Sequence, residues 1–137
     1  MNKYFFFILF VILLCCIIIL GIYVLAPTRM KVINTTSITI ESDSLYLGKL
    51  DYYSIQHASF KIKNTGKDPL VIQSVNTSCG CTAAKYDKKP ITQGETTIVV
   101  LEYKPNSLGY FRKTADVVCN VPKGYIRLKI SGEVVEK

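Results

Sequence analysis

An uninterrupted apolar segment near the start of the chain limits what this sequence can fold into. The 22 residues that begin with Tyr4 and end with Leu25 include no charged side chain. As an α-helix they would extend over roughly 33 Å, close to the hydrocarbon thickness of a bilayer. The segment therefore predicts a transmembrane helix, and it leaves only enough chain for one small domain outside the membrane.

The end of the apolar segment is typical of a retained anchor. A cleaved signal peptide has a shorter apolar region, about 7–15 residues, and a small-x-small cleavage site. Here Ala26 is followed directly by Pro27, which is a poor context for cleavage. We therefore predict a signal anchor over residues 1–27. Lys3 and the amino terminus flank one side of the segment, and Arg29 and Lys31 flank the other, so the positive-inside rule does not decide its orientation.

Two adjacent cysteines inside the segment leave a second interpretation open. The apolar run before Cys15 and Cys16 has about the length of a lipoprotein signal core. A lipidated cysteine normally follows a small residue, whereas Cys15 follows Leu14. The sequence thus favours a membrane helix in which both thiols are apolar side chains, and lipidation at Cys15 or Cys16 is the alternative.

The rest of the chain is mildly basic and does not carry the patterns of a catalytic or nucleic-acid-binding domain. Sixteen basic and ten acidic residues follow the apolar segment, which gives this part a net charge of +6. The basic residues are scattered, so the sequence predicts no nucleic-acid partner. The single histidine, His57, stands at a predicted strand start with no evident nucleophile partner. Since the sequence also contains no glycine-rich phosphate loop, we predict no small-molecule substrate.

Short runs of alternating apolar and polar residues predict β-strands through the rest of the chain. In the run 109–121, for example, Phe111 falls on the apolar side and Arg112 and Asn120 fall on the polar side. The predicted strands are 37–40 with 45–47 as an early split strand, 58–63, 70–75, 95–103, 109–121 and 125–135. About seven such strands are typical of an all-β, antiparallel Ig-like β-sandwich. We predict a linker and first strand at 28–40 and the sandwich at 41–137.

One local motif has chemical potential, namely Cys79-Gly80-Cys81 between Ser78 and Thr82. Two thiols at positions i and i+2 can project to the same side of an extended chain. They could form a structural disulfide in an oxidising compartment, exchange electrons as a reducible disulfide, or hold Cu(I), which prefers sulfur ligands. All three uses remain open at this stage. We predict no cofactor, with copper as the alternative.

A further cysteine, Cys119, continues the apolar face of its predicted strand, so we interpret it as a buried free thiol. In an Ig-like order, the strand that contains Leu70 would pair antiparallel with the strand that contains Val117. Cys79 and Cys119 would then lie at opposite ends of the domain, separated by roughly 33 Å of strand. The three thiols are therefore not expected to converge on one metal.

Taken together, several of these residues resemble the DUF1573 family of bacterial envelope domains. The matching positions are Phe60, Asn64, Gly66, Pro69, Leu70, Ser78-Cys79-Gly80-Cys81-Thr82, Pro90-Ile91, Gly94, Gly109 and Phe111. The Ser-Cys-Gly-Cys-Thr element is the more specific part. The rest is shared with sandwiches similar to the major sperm protein and Hydin-type ciliary domains.

The resemblance implies an Ig-like fold and export beyond the inner membrane, and it supplies no established activity. With the apolar segment, it predicts a single-pass inner-membrane protein whose C-terminal domain lies in the periplasm; a lipoprotein is the alternative. The function expected is a non-catalytic binding, structural or assembly module for another envelope protein. The alternative is a thiol-redox or copper-binding role for Cys79 and Cys81.

Overall fold

A computed structural model of the chain describes residues 2–25 and 34–136. Contacts between residues divide the protein into two units, an N-terminal helix and a β-sandwich, which are described separately here. Residues 28–33 of the predicted linker and first strand at 28–40 lie outside the described residues. The predicted domain boundaries stay a prediction.

The described part of the N-terminal unit is one helix, α1 (Lys3–Leu25), close to the range predicted from the apolar segment. Its 23 residues would span about 34 Å. Cys15 and Cys16 both lie on its exposed surface as free thiols. The helix is long and apolar enough to cross a membrane, and a signal sequence near an N-terminus passes the same test.

The second unit is a sandwich of two four-stranded sheets, which confirms the predicted all-β, Ig-like class. One sheet has the order β1-β3-β6-β5 and the other β2-β8-β7-β4. The strands are β1 (Ile38–Ile40), β2 (Ser44–Asp51), β3 (Gln56–Asn64), β4 (Ile72–Thr77), β5 (Thr82–Lys85), β6 (Thr96–Tyr103), β7 (Gly109–Cys119) and β8 (Tyr125–Val135).

Several strands differ in detail from the sequence prediction. The early split strand is in fact β1 and β2, which belong to different sheets, and β2 runs parallel to β8. β5 was not predicted, because four residues are too few to show an alternating pattern. The strand predicted from residue 70 begins later, at Ile72. Leu70 forms an isolated bridge with Ile91, and the N–H of Val71 donates to the side chain of Asn120.

The core lies between the inner faces of the two sheets, as the alternation predicts. In β3 the side chains of Phe60 and Ile62 are buried, whereas Lys61 between them is exposed. Burial of each large apolar side chain contributes about 1.5–3 kcal/mol. The ring of Tyr103 stacks on that of Phe111, with 4.3 Å between their centroids. Aromatic packing thus extends from the core towards the surface at one end of the sandwich.

The strand directions define two ends of the sandwich. We call one end proximal because the described part of the sandwich begins there in the sequence. This end contains residues 34–37, the β3–β4 connection (65–71) and the β7–β8 turn (120–124). The distal end contains the β2–β3 connection (52–55), the β4–β5 connection (78–81) and the β6–β7 connection (104–108). The family motif is divided between them, with the asparagine-glycine element at the proximal end and the two cysteines at the distal end.

Candidate functional site

The two motif cysteines lie where the chain crosses from one sheet to the other. β4 is an edge strand of one sheet and β5 is an edge strand of the other. In the connection between them, Cys79 and Cys81 form a disulfide, with 5.3 Å between their Cα atoms. Both cysteines are half-buried and Gly80 is exposed. The cross-link therefore closes the crossover on itself at the surface of the distal end.

Backbone hydrogen bonds attach the two sides of this crossover to different sheets. The N–H of Ser78 donates to the carbonyl of Thr114 on β7 at 2.9 Å. On the other side, the N–H of Lys104, just after β6, donates to the carbonyl of Cys81 at 2.9 Å. A Cβ atom added to Gly80 would meet no atom within 4 Å, so crowding does not require glycine there. The geometry suits a structural link between the sheets.

The surroundings of the disulfide do not form a metal site within the described residues. No group of three or more histidine, cysteine or acidic side chains that could hold a metal occurs in residues 2–25 and 34–136. His57 lies at the start of β3, where its Nδ1 is 3.4 Å from Glu102. A hydrogen bond from Lys85 lowers the pKa of Glu102, so this carboxylate belongs to a surface ion cluster.

The third thiol of the sandwich is remote from the disulfide, as predicted. Cys119 is the last residue of β7 and pairs with Ile72 at the start of β4, at the proximal end. It is buried, and this burial raises the pKa of its thiol. Cys119 is therefore a neutral core side chain, and the three thiols do not converge.

Asn64, from the family motif, forms a buried hydrogen-bond centre at the proximal end. Its side-chain oxygen accepts from the hydroxyl of Thr36 at 2.9 Å and from the N–H of Gly66 at 3.1 Å. Its amide nitrogen donates to the carbonyls of Asp68 and Ile91, each at 2.9 Å. Four hydrogen bonds satisfy this fully buried amide, so the asparagine of the motif has a structural role.

A second buried asparagine, Asn120, completes the proximal end and corrects the sequence analysis. The alternation places it on the polar outer face, but its side chain is buried. Its oxygen accepts from Val71 N–H at 2.7 Å, and its amide nitrogen donates to the carbonyls of Asn34 and Pro69. The strand pattern fails here because β7 ends at Cys119 and Asn120 already belongs to the turn.

The distal end also carries an exposed aromatic surface that the sequence analysis did not find. The distal tyrosine surface consists of Tyr46, Tyr53, Leu108 and Tyr110. Their exposed fractions are 69%, 76%, 55% and 84%, in that order. They line two shallow depressions of about 230 and 380 Å³. Leu108 lines the smaller depression and Tyr110 lines the larger one, and a single residue separates them in the sequence.

The sequence contains no local motif for this surface, because its residues lie on separate elements. Tyr46 comes from β2, Tyr53 from the β2–β3 connection, and Tyr110 from β7. Tyr53 packs edge-on against Tyr52, with 5.2 Å between ring centroids. Arg112 lines the same depression as Tyr46 and Tyr110. Because these residues are far apart in sequence, only the pairing of β2, β8 and β7 brings them together.

The family model for proteins of unknown function designated DUF1573 matches residues 38–134, which is more than half of the chain. The chain belongs to the DUF1573 family. The match covers both ends of the sandwich, with the disulfide and both buried asparagines. No curated protein matches the sequence with significance.

Solved structures show the same fold as this DUF1573 domain. A protein of unknown function from Porphyromonas gingivalis W83 is 24% identical, with a TM-score of 0.66, over 77% of this chain and 50% of that one. The PapD-like domain 7 of human CEP192 is 13% identical, with a TM-score of 0.59, over 75% of this chain and 88% of that one. This chain spans about half the length of the Porphyromonas protein.

An enzyme also contains this fold. The VesB protease of Vibrio cholerae is 13% identical, with a TM-score of 0.56, over 71% of this chain and 31% of that one. At such identities the likeness shows the fold alone. The DUF1573 domain therefore has a PapD-like, Ig-like fold, and its function has to be argued from its own surface.

Proposed function

We propose that α1 anchors this chain in the inner membrane and holds the DUF1573 domain in the periplasm, where the domain binds another envelope protein without catalysis. The distal tyrosine surface carries this proposal. Tyr46, Tyr53 and Tyr110 each expose more than two thirds of their surface in the distal half of the domain. A cluster of exposed large side chains is characteristic of a binding surface.

The composition of the surface favours a protein partner. Tyrosine and arginine are enriched in protein interfaces, because each combines a large contact area with hydrogen-bonding capacity. Arg112 lies beside Tyr46 and Tyr110 in the larger depression. Each tyrosine can therefore bury its ring against a partner and keep its hydroxyl hydrogen-bonded.

The disulfide and the helix support the proposed location. A disulfide between Cys79 and Cys81 is favoured outside the cytosol, where thiols are not kept reduced. The apolar helix α1 supplies the span that a membrane anchor needs. Both observations fit a domain exported on a retained anchor.

The internal chemistry of the domain favours a non-catalytic module, and the proposal includes no cofactor. Within the described residues, every buried side-chain nitrogen and oxygen has a hydrogen-bond partner. Asn64 and Asn120, the most connected polar side chains, bond to backbone groups of the connections they hold. Their hydrogen-bonding capacity is used within the fold.

Site-specific photocrosslinking in intact cells tests the proposed function. A photoreactive amino acid is placed at Tyr53 or Tyr110 in the full-length chain, and at Ile98 as the control. Ile98 is also exposed and apolar, but it lies on the outer face of the other sheet. We expect the same discrete crosslinked protein from both distal positions and none from Ile98. Equal products from all three positions, or none from the distal pair, would contradict the proposal.

Thiol exchange at Cys79 and Cys81 is a second candidate, because the disulfide lies at the surface with an exposed glycine between its cysteines. A dithiol protein would attack one sulfur, form a mixed disulfide and leave as a disulfide, and the two cysteines would gain two electrons and two protons. Trapping with single variants, Cys79→Ser and Cys81→Ser, tests this. A mixed disulfide with another envelope protein is expected from one variant only; its absence from both would exclude exchange.

A further inference from the structure

The first part of β8 has a neighbour on one side only. β7 pairs with β8 from Tyr125 onwards, whereas β2 pairs with it only from Lys129 onwards. Among the described residues, the other edge of β8 therefore remains open before Lys129. An open strand edge presents main-chain donors and acceptors that a further strand can pair with.

The direction of the hydrogen bonds identifies the open groups. The N–H of Lys129 donates to the carbonyl of Asp43 at 2.8 Å, on the side away from β7. Main-chain groups in a strand alternate with a period of two, so the N–H and carbonyl of Arg127 point to that same side. Within residues 34–136, neither group has a backbone partner. Arg127 thus presents one free donor and one free acceptor.

An apolar groove adjoins this open edge. The edge groove lies between β1 and the first part of β8, and its volume is about 500 Å³. Ile38 and Ile40 of β1 line one side, Ile126 lines the other, and Val121 lies at one end. The open part of β8 covers four residues, from Tyr125 to Leu128. Since strand residues rise about 3.3 Å each, three to four extended residues of another strand would fit beside it.

The charges around the edge groove are mainly positive. Lys123, Arg127 and Lys129 lie along it, against the single carboxylate of Asp43. The guanidinium of Arg127 is already bound to both oxygens of Asp116, at 2.7 and 2.8 Å. Among the described residues, Lys123 and Lys129 form no ion pair. The groove is therefore complementary to an acidic partner.

We propose that an extended, acidic segment of a partner protein adds to β8 in the edge groove. Its main chain exchanges two hydrogen bonds with Arg127, its apolar side chains fill the groove at alternate positions, and its flanking carboxylates pair with Lys123 and Lys129. This surface lies at the opposite end of β8 from the distal tyrosine surface, so the inference does not depend on the function proposed above.

A peptide fits these features better than a lipid or another small apolar molecule. An acyl chain could fill the space between Ile40 and Ile126, but it would cover the N–H of Arg127 without accepting its hydrogen bond. Burying an unpaired amide costs about 1–3 kcal/mol. A strand satisfies the amide and the carbonyl together.

Peptide titration with the full-length protein in detergent micelles tests the proposal. The probes are fluorescent nonapeptides with alternating valine and serine at the centre, flanked by Asp-Glu or by Lys-Lys. We expect the acidic peptide to bind at least about tenfold more tightly. N-methylation should abolish binding at the one central residue whose amide donates to the carbonyl of Arg127, and not at its two sequence neighbours, whose amides point away from β8. No binding by either peptide, or equal losses at adjacent positions, would overturn the proposal, as would displacement by a fatty acid.

A charge-reversal variant and its matched control sharpen this test. Lys123→Glu/Lys129→Glu should weaken binding of the acidic peptide at least about tenfold and favour the basic peptide. Lys63→Glu/Lys67→Glu changes the net charge equally, on residues outside the groove, and should leave binding almost unchanged. If both variants lost the same binding affinity for the acidic peptide, binding would depend on net charge alone, which would contradict the proposal. Amide hydrogen exchange at Arg127 should slow when the peptide binds, whereas that at Ile126, already paired with β7, should not.

Discussion

The proximal and distal ends of the sandwich are stabilised by different chemistry. At the proximal end, the side chains of Asn64 and Asn120 are buried and bind the connecting segments through seven hydrogen bonds between them. At the distal end, a disulfide and backbone hydrogen bonds hold the crossover, and large aromatic side chains face solvent. Buried side-chain hydrogen bonds therefore hold the connections of one end, whereas a cross-link and main-chain hydrogen bonds hold those of the other end, where large side chains stay exposed.

Replacement of Asn64 should give the largest effect on stability. Asn64→Ala removes four hydrogen bonds and leaves the carbonyl of Asp68 without a partner, whereas the carbonyl of Ile91 keeps its bond from the N–H of Leu70. We expect the free energy of unfolding to fall by about 3–4 kcal/mol. Urea denaturation of the full-length protein in micelles, followed by circular dichroism, measures this. Asn76→Ala, at an exposed position of β4, is the control and should change stability by less than about 0.5 kcal/mol.

A pair of glycine substitutions compares the two ends directly. A Cβ atom at Gly66 would overlap the side chain of Thr36 and the backbone N of Ser37, whereas one at Gly80 would meet nothing within 4 Å. Gly66→Ala should therefore destabilise the domain by about 2–3 kcal/mol, and Gly80→Ala by less than about 0.5 kcal/mol. The same denaturation measurement applies. If the free energy of unfolding fell by similar amounts in both variants, the proposed difference between a crowded proximal end and an open distal end would be wrong.

These expectations also show what the sequence could and could not reveal. The alternation in β3 and β8 predicted the core faces, and the placement of Cys119 away from Cys79 is confirmed. The parallel pairing of β2 with β8 could not be predicted, because β1 has only three residues and lies too close to β2 in the sequence to reveal a change of sheet. The distal tyrosine surface could not be predicted either, since its four members come from two strands and two connections.

Removal of the disulfide should have an intermediate effect. In Cys79→Ser/Cys81→Ser, the cross-link no longer restricts the unfolded chain. For so small a loop, we expect the free energy of unfolding to fall by about 1.5 kcal/mol. The hydrogen bonds of Ser78 and Lys104 remain, so the fold should persist. Thermal unfolding of the full-length protein measures the loss. A variant that does not fold would contradict the view that backbone hydrogen bonds suffice to place the crossover.

An exposed ion pair between the two ends should give the smallest effect. Hydrogen bonds from Arg127 hold the pKa of Asp116 below its ordinary value of about 3.9. Because the folded-state pKa is lowered, the contribution to stability is present above the ordinary pKa and is lost as the pH falls through the folded-state pKa. Asp116→Asn should therefore lower stability slightly at pH 7 and leave it unchanged near pH 2, which flattens the stability profile below about pH 4. Urea midpoints between pH 2 and 7 measure this.

The central claim is that the distal end is the binding surface of a domain held outside the cytoplasm. Labelling of intact cells with a membrane-impermeant maleimide, after permeabilisation of the outer membrane, tests both parts of it in full-length Lys63→Cys and Tyr110→Cys variants. The account predicts that Lys63→Cys is labelled, whereas Tyr110→Cys is protected in cells and labelled after purification. An unlabelled Lys63→Cys, or equal labelling of both variants in cells, would contradict it.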